Sequence, residues 1–324
     1  MKAALDALRR RWAWIGRHPY VVALCILAIA FAVTPLLDNY ALFVVSLVCV
    51  YAIFATGYNL LMGYAGQFDV GQAAFLALGA YGSAVMQNSF AMPVLPSLLV
   101  GAAVSVLAGL FIGVVVLRLR HFYLALVTLA FSQAVVLVLS LWRDVTKGFQ
   151  GLPVHSLDIL GLGRNVSAYL VIVTFAVLLV TLARNLARSD LGRAFEAIRE
   201  SEVAAQAMGI NLVRTRLTAY AVSAFYGGIA GGLLAVLLSY ITPEGFTIFE
   251  TIKVLAMIVV GGMGSIFGGL LGASLLTLGN ELLRFSQFFQ EIGFGLLLLV
   301  SIIVMPDGIV GLVRRLGARY GRRG

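Results

Sequence analysis

Ten runs of mainly apolar residues, each near the length needed to cross a hydrocarbon core of about 30 Å, limit this chain more than any other feature. They lie near residues 20–37, 40–56, 70–87, 97–117, 122–141, 167–183, 217–240, 247–262, 266–283 and 290–305. The runs are continuous and do not alternate with period two, so they do not fit the strands of a membrane barrel. Backbone in lipid must satisfy its own hydrogen bonds, which makes each run a helix. The expected fold is all-α: a polytopic integral membrane protein of about ten transmembrane helices, within a range of about eight to eleven. Glycine-rich stretches flank the third and eighth runs, which are expected to be broken or re-entrant.

An even number of crossings puts both termini on one side, and the cations say which. Eighteen of the 23 Lys and Arg fall in the termini and the loops on their side, leaving Arg143, Lys147, Arg164, Lys253 and Arg284 opposite. That asymmetry makes the termini cytoplasmic and accounts for the net charge of +9 without nucleic acid. The expected organisation is a cytoplasmic segment 1–19, a transmembrane domain 20–312 and a basic cytoplasmic tail 313–324. The N-terminus has the basic start of a signal peptide, but the apolar run continues through Phe31 and Val33 and is expected to remain as an uncleaved first helix. Cys25 and Cys49 sit in apolar runs without a CxxC or Cys/His cluster, so neither a metal site nor a disulfide is expected.

Two loops exceed a simple turn. The outer one, 142–166, mixes Gly, Pro and polar residues as a folded surface loop would. The inner one, 184–216, is amphipathic: Leu191, Phe195, Ile198, Ala205, Met208 and Leu212 recur at helical steps, with Arg193, Glu196, Arg199, Glu200 and Glu202 on other faces. Arg193 with Glu196, and Glu196 with Arg199, are spaced to pair along a helix. Ser201 has the position of an N-cap for a second short helix and Gly209 that of its stop. The acidic residues favour a protein partner for this segment over an anionic lipid surface.

The remaining anomaly is "GYAGQFDVGQ", residues 63–72, a polar and glycine-rich patch in a chain that is 61% hydrophobic. Gly63, Gly66 and Gly71 share their spacing with Gly261, Gly264 and Gly269 in "VVGGMGSIFGGLLGA", and the two clusters are expected to be related helix breaks. Freed backbone at such breaks can line a substrate path. Asp69 would cost about 2.5–3.5 kcal/mol at a helix centre in lipid, so it is expected to face water or a partner group. Asn59, Gln67, Gln72 and Tyr81 join it as candidate pathway residues.

The stretches "GYNLLMGYAGQFDVGQAAFLALGAY", "RAFEAIRESEVAAQAMGINLVRTRLTAYAVSAFYGGIAGGL" and "VLAMIVVGGMGSIFGGLLGA" resemble the LivM-type inner-membrane permeases of branched-chain amino-acid ABC importers, in the order that family has them. The resemblance runs over residues 20–312. It implies one membrane-spanning permease subunit forming half of a translocation path, with a sister permease, two cytoplasmic ATP-binding subunits and an external solute-binding protein as partners. It makes the 184–216 loop the ATPase-coupling segment, with Arg193, Glu196, Arg199, Glu200, Glu202 and Gly209 as its candidate residues. No G-x-x-x-x-G-K-[ST] occurs, so ATP is expected on the partner subunits and no cofactor on this chain. The sequence also lacks a recognisable catalytic constellation, which speaks against an enzyme. Similar permeases serve urea and short amides, the alternative substrates. An ion-coupled secondary transporter would need a charged pair at mid-membrane, and the span centres present Asp69 alone.

Overall fold

The computed structural model describes residues 19–117, 121–155, 157 and 161–282, with positions 295, 308, 309 and 311 beyond them. Residues 1–18 of the N-terminal segment, the tail 313–324 and the tenth run apart from Gly295 lie outside the described residues. The helices are α1 (Pro19–Val33), α2 (Asn39–Asn59, extended by a π-helical turn at Leu60–Tyr64), α3 (Gln72–Phe90), α4 (Val94–Val116), α5 (His121–Leu141), α6 (Arg143–Thr146), α7 (Arg164–Ala187), α8 (Asp190–Glu200), α9 (Glu202–Ala207), α10 (Leu212–Leu238), α11 (Ile248–Gly261) and α12 (Ile266–Leu282). Among the described residues one minimal antiparallel ladder, β1 (Leu152–Pro153) with β2 (Tyr240–Ile241), clips two interhelical loops together.

The all-α, multi-pass architecture matches the expectation, and the described residues contain fewer full crossings than the ten expected of the whole chain. Among the described residues, five helices are long and apolar enough to span: Asn39–Tyr64, Val94–Val116, Tyr123–Leu141, Arg164–Ala187 and Leu212–Leu238. α11 and α12 bend by 119° at their junction and make a sixth span only if taken as one. The described part of α1 is about 22 Å long, short of the hydrocarbon core. α3 is long enough but polar at both ends, with Gln72, Gln87 and Asn88, and it is buried by its neighbours.

Glycine sets how closely the central helices pack. A Cβ at Gly79 of α3 would overlap the Gly228 carbonyl of α10, and one at Gly101 of α4 would overlap the carbonyl of Gly79. The three helices therefore meet backbone to backbone, the approach that small residues permit where no hydrophobic effect drives helices together. Gly231 of α10 stands against the Leu76 carbonyl in the same seam. Gly231→Val should lower the melting temperature of the detergent-purified protein by an amount equivalent to about 1–3 kcal/mol of overpacking, and unchanged melting would show a looser seam.

The same seam fixes where α3 begins. α3 and α10 run parallel: the Ser223 hydroxyl donates to Gln72 Oε1 at 3.1 Å, and higher up Gly232 meets Ser83. Ser223 lies 11 residues into α10, about 17 Å along its axis, so α3 starts deep inside the helical body. Residues 65–71 carry the chain back up to that level from the end of α2. α11 starts at the same depth, because the Ala73 N–H at the head of α3 donates to Thr251 Oγ1 at 2.9 Å. It then descends to Gly261, beside the break that follows α2. Two helices thus begin head to head in the interior and run in opposite directions.

Candidate functional site

Two helix N-termini in a low-dielectric interior leave donors unpaired and present positive ends, so each needs an acceptor or a negative charge. Asp69 meets that need at α3. It is 1% exposed, accepts from the Gly71 N–H at 2.9 Å through Oδ1, and accepts from the Gln72 side-chain amide through Oδ2. Tyr58 donates to the Asp69 carbonyl, and the Val70 N–H donates to Thr128 Oγ1 at 3.0 Å. Gln72 then passes the network to Ser223. Of the alternatives expected for Asp69, the structure shows partner groups: its carboxylate accepts from the N-cap residue and the first residue of a buried helix start.

The five candidate pathway residues are all buried but do not form one group. Asp69 and Gln72 belong to the hydrogen-bond network at the head of α3. Gln67 turns back on its own loop, donating to the Ala65 carbonyl at 3.2 Å. Tyr81 lies nine residues further along α3, with its ring edge-on to Phe246 at 6.0 Å between centroids. Asn59 joins the two glycine clusters: its Nδ2 donates to the Ser265 carbonyl at 2.7 Å and its Oδ1 accepts from the Gly264 N–H at 2.9 Å.

The glycines divide likewise. Gly63 lies in the π-helical turn, Gly66 in the break with φ +69°, and Gly71 immediately before α3. Gly261 ends α11 and Gly264 occupies the junction with φ +74°. Gly269 lies inside α12 and breaks nothing; it packs on the backbone of α2 near Ala55. The shared spacing therefore marks an equivalence for the first two members of each triplet and not for the third. A Cβ at Gly63 would overlap Asn59 Oδ1 and the Gly264 N–H, so the two breaks touch directly.

Arg199, from the amphipathic 184–216 segment, enters that contact. Its guanidinium donates to the Gly63 carbonyl, its Nη1 lies against Gly264, and its stem packs on Gly66, where a Cβ would come within 2.7 Å of Cγ. The expected pairing of Glu196 with Arg193 and Arg199 is not what forms. Arg193 pairs with Asp190 one turn earlier, Arg199 leaves its helix for the membrane body, and Glu196 stays exposed. The carbonyls freed at a helix break offer a cation more than an exposed carboxylate on its own helix does.

Around Arg199 the segment folds as two short helices. Phe195, Ile198 and Ala205 are buried, as the helical spacing implies, but Leu191 and Met208 face outward, Met208 at 83% exposure beside an equally open Val203. Ser201 caps α9 by accepting from the Ala204 N–H at 3.3 Å. Gly209, at φ +84°, closes α9: its N–H bonds to the Gln206 carbonyl at 3.0 Å and the Ile210 N–H to the Ala205 carbonyl at 3.0 Å. Glu202 is ion-paired with Arg216 at the foot of α10. A cleft of about 460 Å³ opens between α8 and α9, lined by Ala194, Ala197 and Ala204 with the charged Asp190, Arg193 and Glu200.

Sequence reasoning missed one cluster altogether. Lys253, counted among the outer-side cations, sits within the body: its Nζ donates to Tyr51 Oη at 2.7 Å, stands 3.3 Å from Glu250 Oε1 and lies 4.3 Å from the Tyr51 ring centre. Tyr51 in turn donates to Glu250 Oε2 at 3.0 Å. The signal was available, because two opposite charges three residues apart inside the apolar run 247–262 are costly unless paired. Asp69 is therefore not the lone charge within the apolar runs, as the sequence alone had implied.

These elements define a multi-pass helical membrane protein whose amphipathic 184–216 segment engages two helix breaks in the helical body. The chain matches the family described as branched-chain amino acid transport system / permease component over residues 40–305. It is 32% identical to the high-affinity branched-chain amino acid transport system permease protein LivM of Salmonella typhimurium, over 91% of this chain and 75% of that protein, and equally to LivM of Escherichia coli strain K12. It is 27% identical to the permease protein LivH of the same Escherichia coli strain, over 82% of this chain and 93% of that protein. No solved structure matches it. The chain belongs to the family of branched-chain amino acid transport system permease components, and so to the transport proteins rather than the catalytic enzymes.

Proposed function

We propose that this chain is the membrane-spanning permease subunit of an ATP-driven importer of branched-chain amino acids. It forms half of a translocation path in the bacterial inner membrane, with both termini cytoplasmic. A sister permease supplies the other half, two cytoplasmic ATP-binding subunits drive the cycle, and an external solute-binding protein docks on the outer loops around 142–166 and 241–250. ATP is held by the ATP-binding subunits, and this chain carries no cofactor of its own. The mechanism is alternating access, in which ATP binding biases a two-state assembly.

The contact of Arg199 with Gly63, Gly66 and Gly264 carries this reading. The α8–α9 cleft, with Met208 and Val203 exposed beside it, offers a groove for a cytoplasmic partner, and any shift of α8 is felt through Arg199 at both helix breaks. The breaks are bistable elements of the kind that convert a small movement into a change of access. Family membership supports the substrate class, with urea or short amides as the alternative.

The Glu250–Lys253 pair favours a second reading, since an ion-coupled carrier would need such a pair at mid-depth. Affinity purification of the chain from its native membrane, followed by reconstitution, separates the two. Recovery of an ATP-binding protein in stable complex, with leucine uptake that depends on ATP, is the expected result. Uptake by this chain alone in liposomes, driven by a proton or sodium gradient, would overturn it.

A further inference from the structure

The Tyr51–Glu250–Lys253 cluster differs from the Asp69 network in being open. Tyr51 stands 12 residues into the helical stretch Asn39–Tyr64, about 18 Å from its outer end, so the cluster lies at mid-depth. The Glu250 and Lys253 side chains each keep 19% of their surface exposed, whereas Asp69 is sealed. Lipid is not a tolerable neighbour for two open charges at that depth, so the open side meets water, a solute or polar protein.

On α11 the residues Phe249, Ile252, Lys253 and Glu250 fall on one continuous arc of about 160°. Phe249 and Ile252 are exposed, which puts apolar surface within one turn of a cation and an anion. Thr251, on the opposite side of the helix, is the residue bonded to the head of α3. The arc thus presents one positive group, one negative group and an aliphatic–aromatic surface together. Tyr51 completes it, because its hydroxyl both accepts from Lys253 and donates to Glu250. Such a hydroxyl keeps one charge partnered while the other turns to a ligand.

We infer that this cluster is a contact site for a zwitterionic solute with an apolar side chain: Lys253 takes its carboxylate, Glu250 its ammonium group, and Phe249 and Ile252 lie against the side chain. The inference rests on the permease reading above and names residues for the path that reading requires. It places solute contact on the exposed arc of α11 and leaves Asp69 and Gln72 as scaffold for the helix head that backs it.

The test uses the complete complex, reconstituted with its ATP-binding subunits, sister permease and binding protein, and follows radiolabelled leucine uptake beside ATP hydrolysis. Lys253→Met and Glu250→Gln should each reduce uptake at least about 10-fold, with recovery of the complex and basal ATP hydrolysis retained, while Lys253→Arg stays within about 3-fold of wild type. Wild-type uptake by Lys253→Met would overturn the inference. Loss of the complex in step with uptake in both lysine variants would also overturn it, and would make the cluster a contact between helices or subunits. An independent readout comes from Ile252→Cys in a Cys25→Ser, Cys49→Ser background. A charged, membrane-impermeant thiol reagent should label it, and failure to label would place the arc against lipid or protein and overturn the inference. Absence of ATP-driven uptake by the wild-type complex would instead remove the permease reading on which the site depends.

Discussion

Asp69→Leu should destabilise the purified protein by about 2–4 kcal/mol, because it strands two buried donors, the Gly71 N–H and the Gln72 amide, and removes the negative end from the head of α3. Melting of the detergent-solubilised protein measures this, together with the yield of inserted chain. Asp69→Asn keeps an acceptor for Gly71 but turns a donor toward Gln72, so its loss should be smaller, about 1 kcal/mol. Transport should fall with stability in both. A leucine variant that melts with the wild type yet does not transport would put Asp69 on the solute path and remove it from the scaffold. The contrast matters because a buried carboxylate in a transporter invites a reading as a coupling-ion site. Here its acceptors are occupied by the backbone and amide it caps.

Arg199→Ala should uncouple the two halves of the molecule. The variant loses a charge-assisted bond to the Gly63 carbonyl, of the class that contributes about 1.5–3 kcal/mol, and the stem that fills the notch at Gly66. In the reconstituted complex, leucine uptake should drop about 10-fold or more while ATP-binding subunits remain attached and continue to hydrolyse ATP. Arg193→Ala is the control. Arg193 is 67% exposed and bonds only locally, to Asp190 on its own helix and to the Arg188 carbonyl just before it, so its removal should disturb the α8–α9 cleft and weaken attachment of the partner without uncoupling hydrolysis from transport. Equal effects from both substitutions would mean that Arg199 is simply one more residue of the docking surface.

Much of this was legible because it is local. Helical spacing marked Phe195, Ile198 and Ala205 as the inner face of the 184–216 segment, Ser201 announced the start of α9, and Gly209 its end. Each is a relation among residues at most a few positions apart, and the chain carries it wherever it goes. The glycine clusters were visible as breaks for the same reason. Where local rules misled, a distant partner outbid a near one. Leu191 and Met208 have the right period to be buried, but no helix is packed over them among the described residues. Gly269 has the right spacing for a break, but α2 needs it as a surface for close packing. Lys253 was assigned to the outer side because it stands near the edge of an apolar run, and only Tyr51, 202 residues away, brings it inside.

From its own residues the chain settles that it lives in a membrane, that its helices are interrupted at two glycine-rich points, and that one amphipathic segment lies between its spans. Hydropathy, period and caps are enough for those conclusions, because they follow from the solvent and from neighbours within a turn. Tertiary structure alone decided that the two breaks touch through Asn59 and Gly63, that Arg199 crosses 136 positions of sequence to join them, and that "GYAGQFDVGQ" leads into a helix beginning deep within the helical body. The reason is physical: a buried donor or charge must find a partner, and which group comes within reach depends on the packing of the whole helical body.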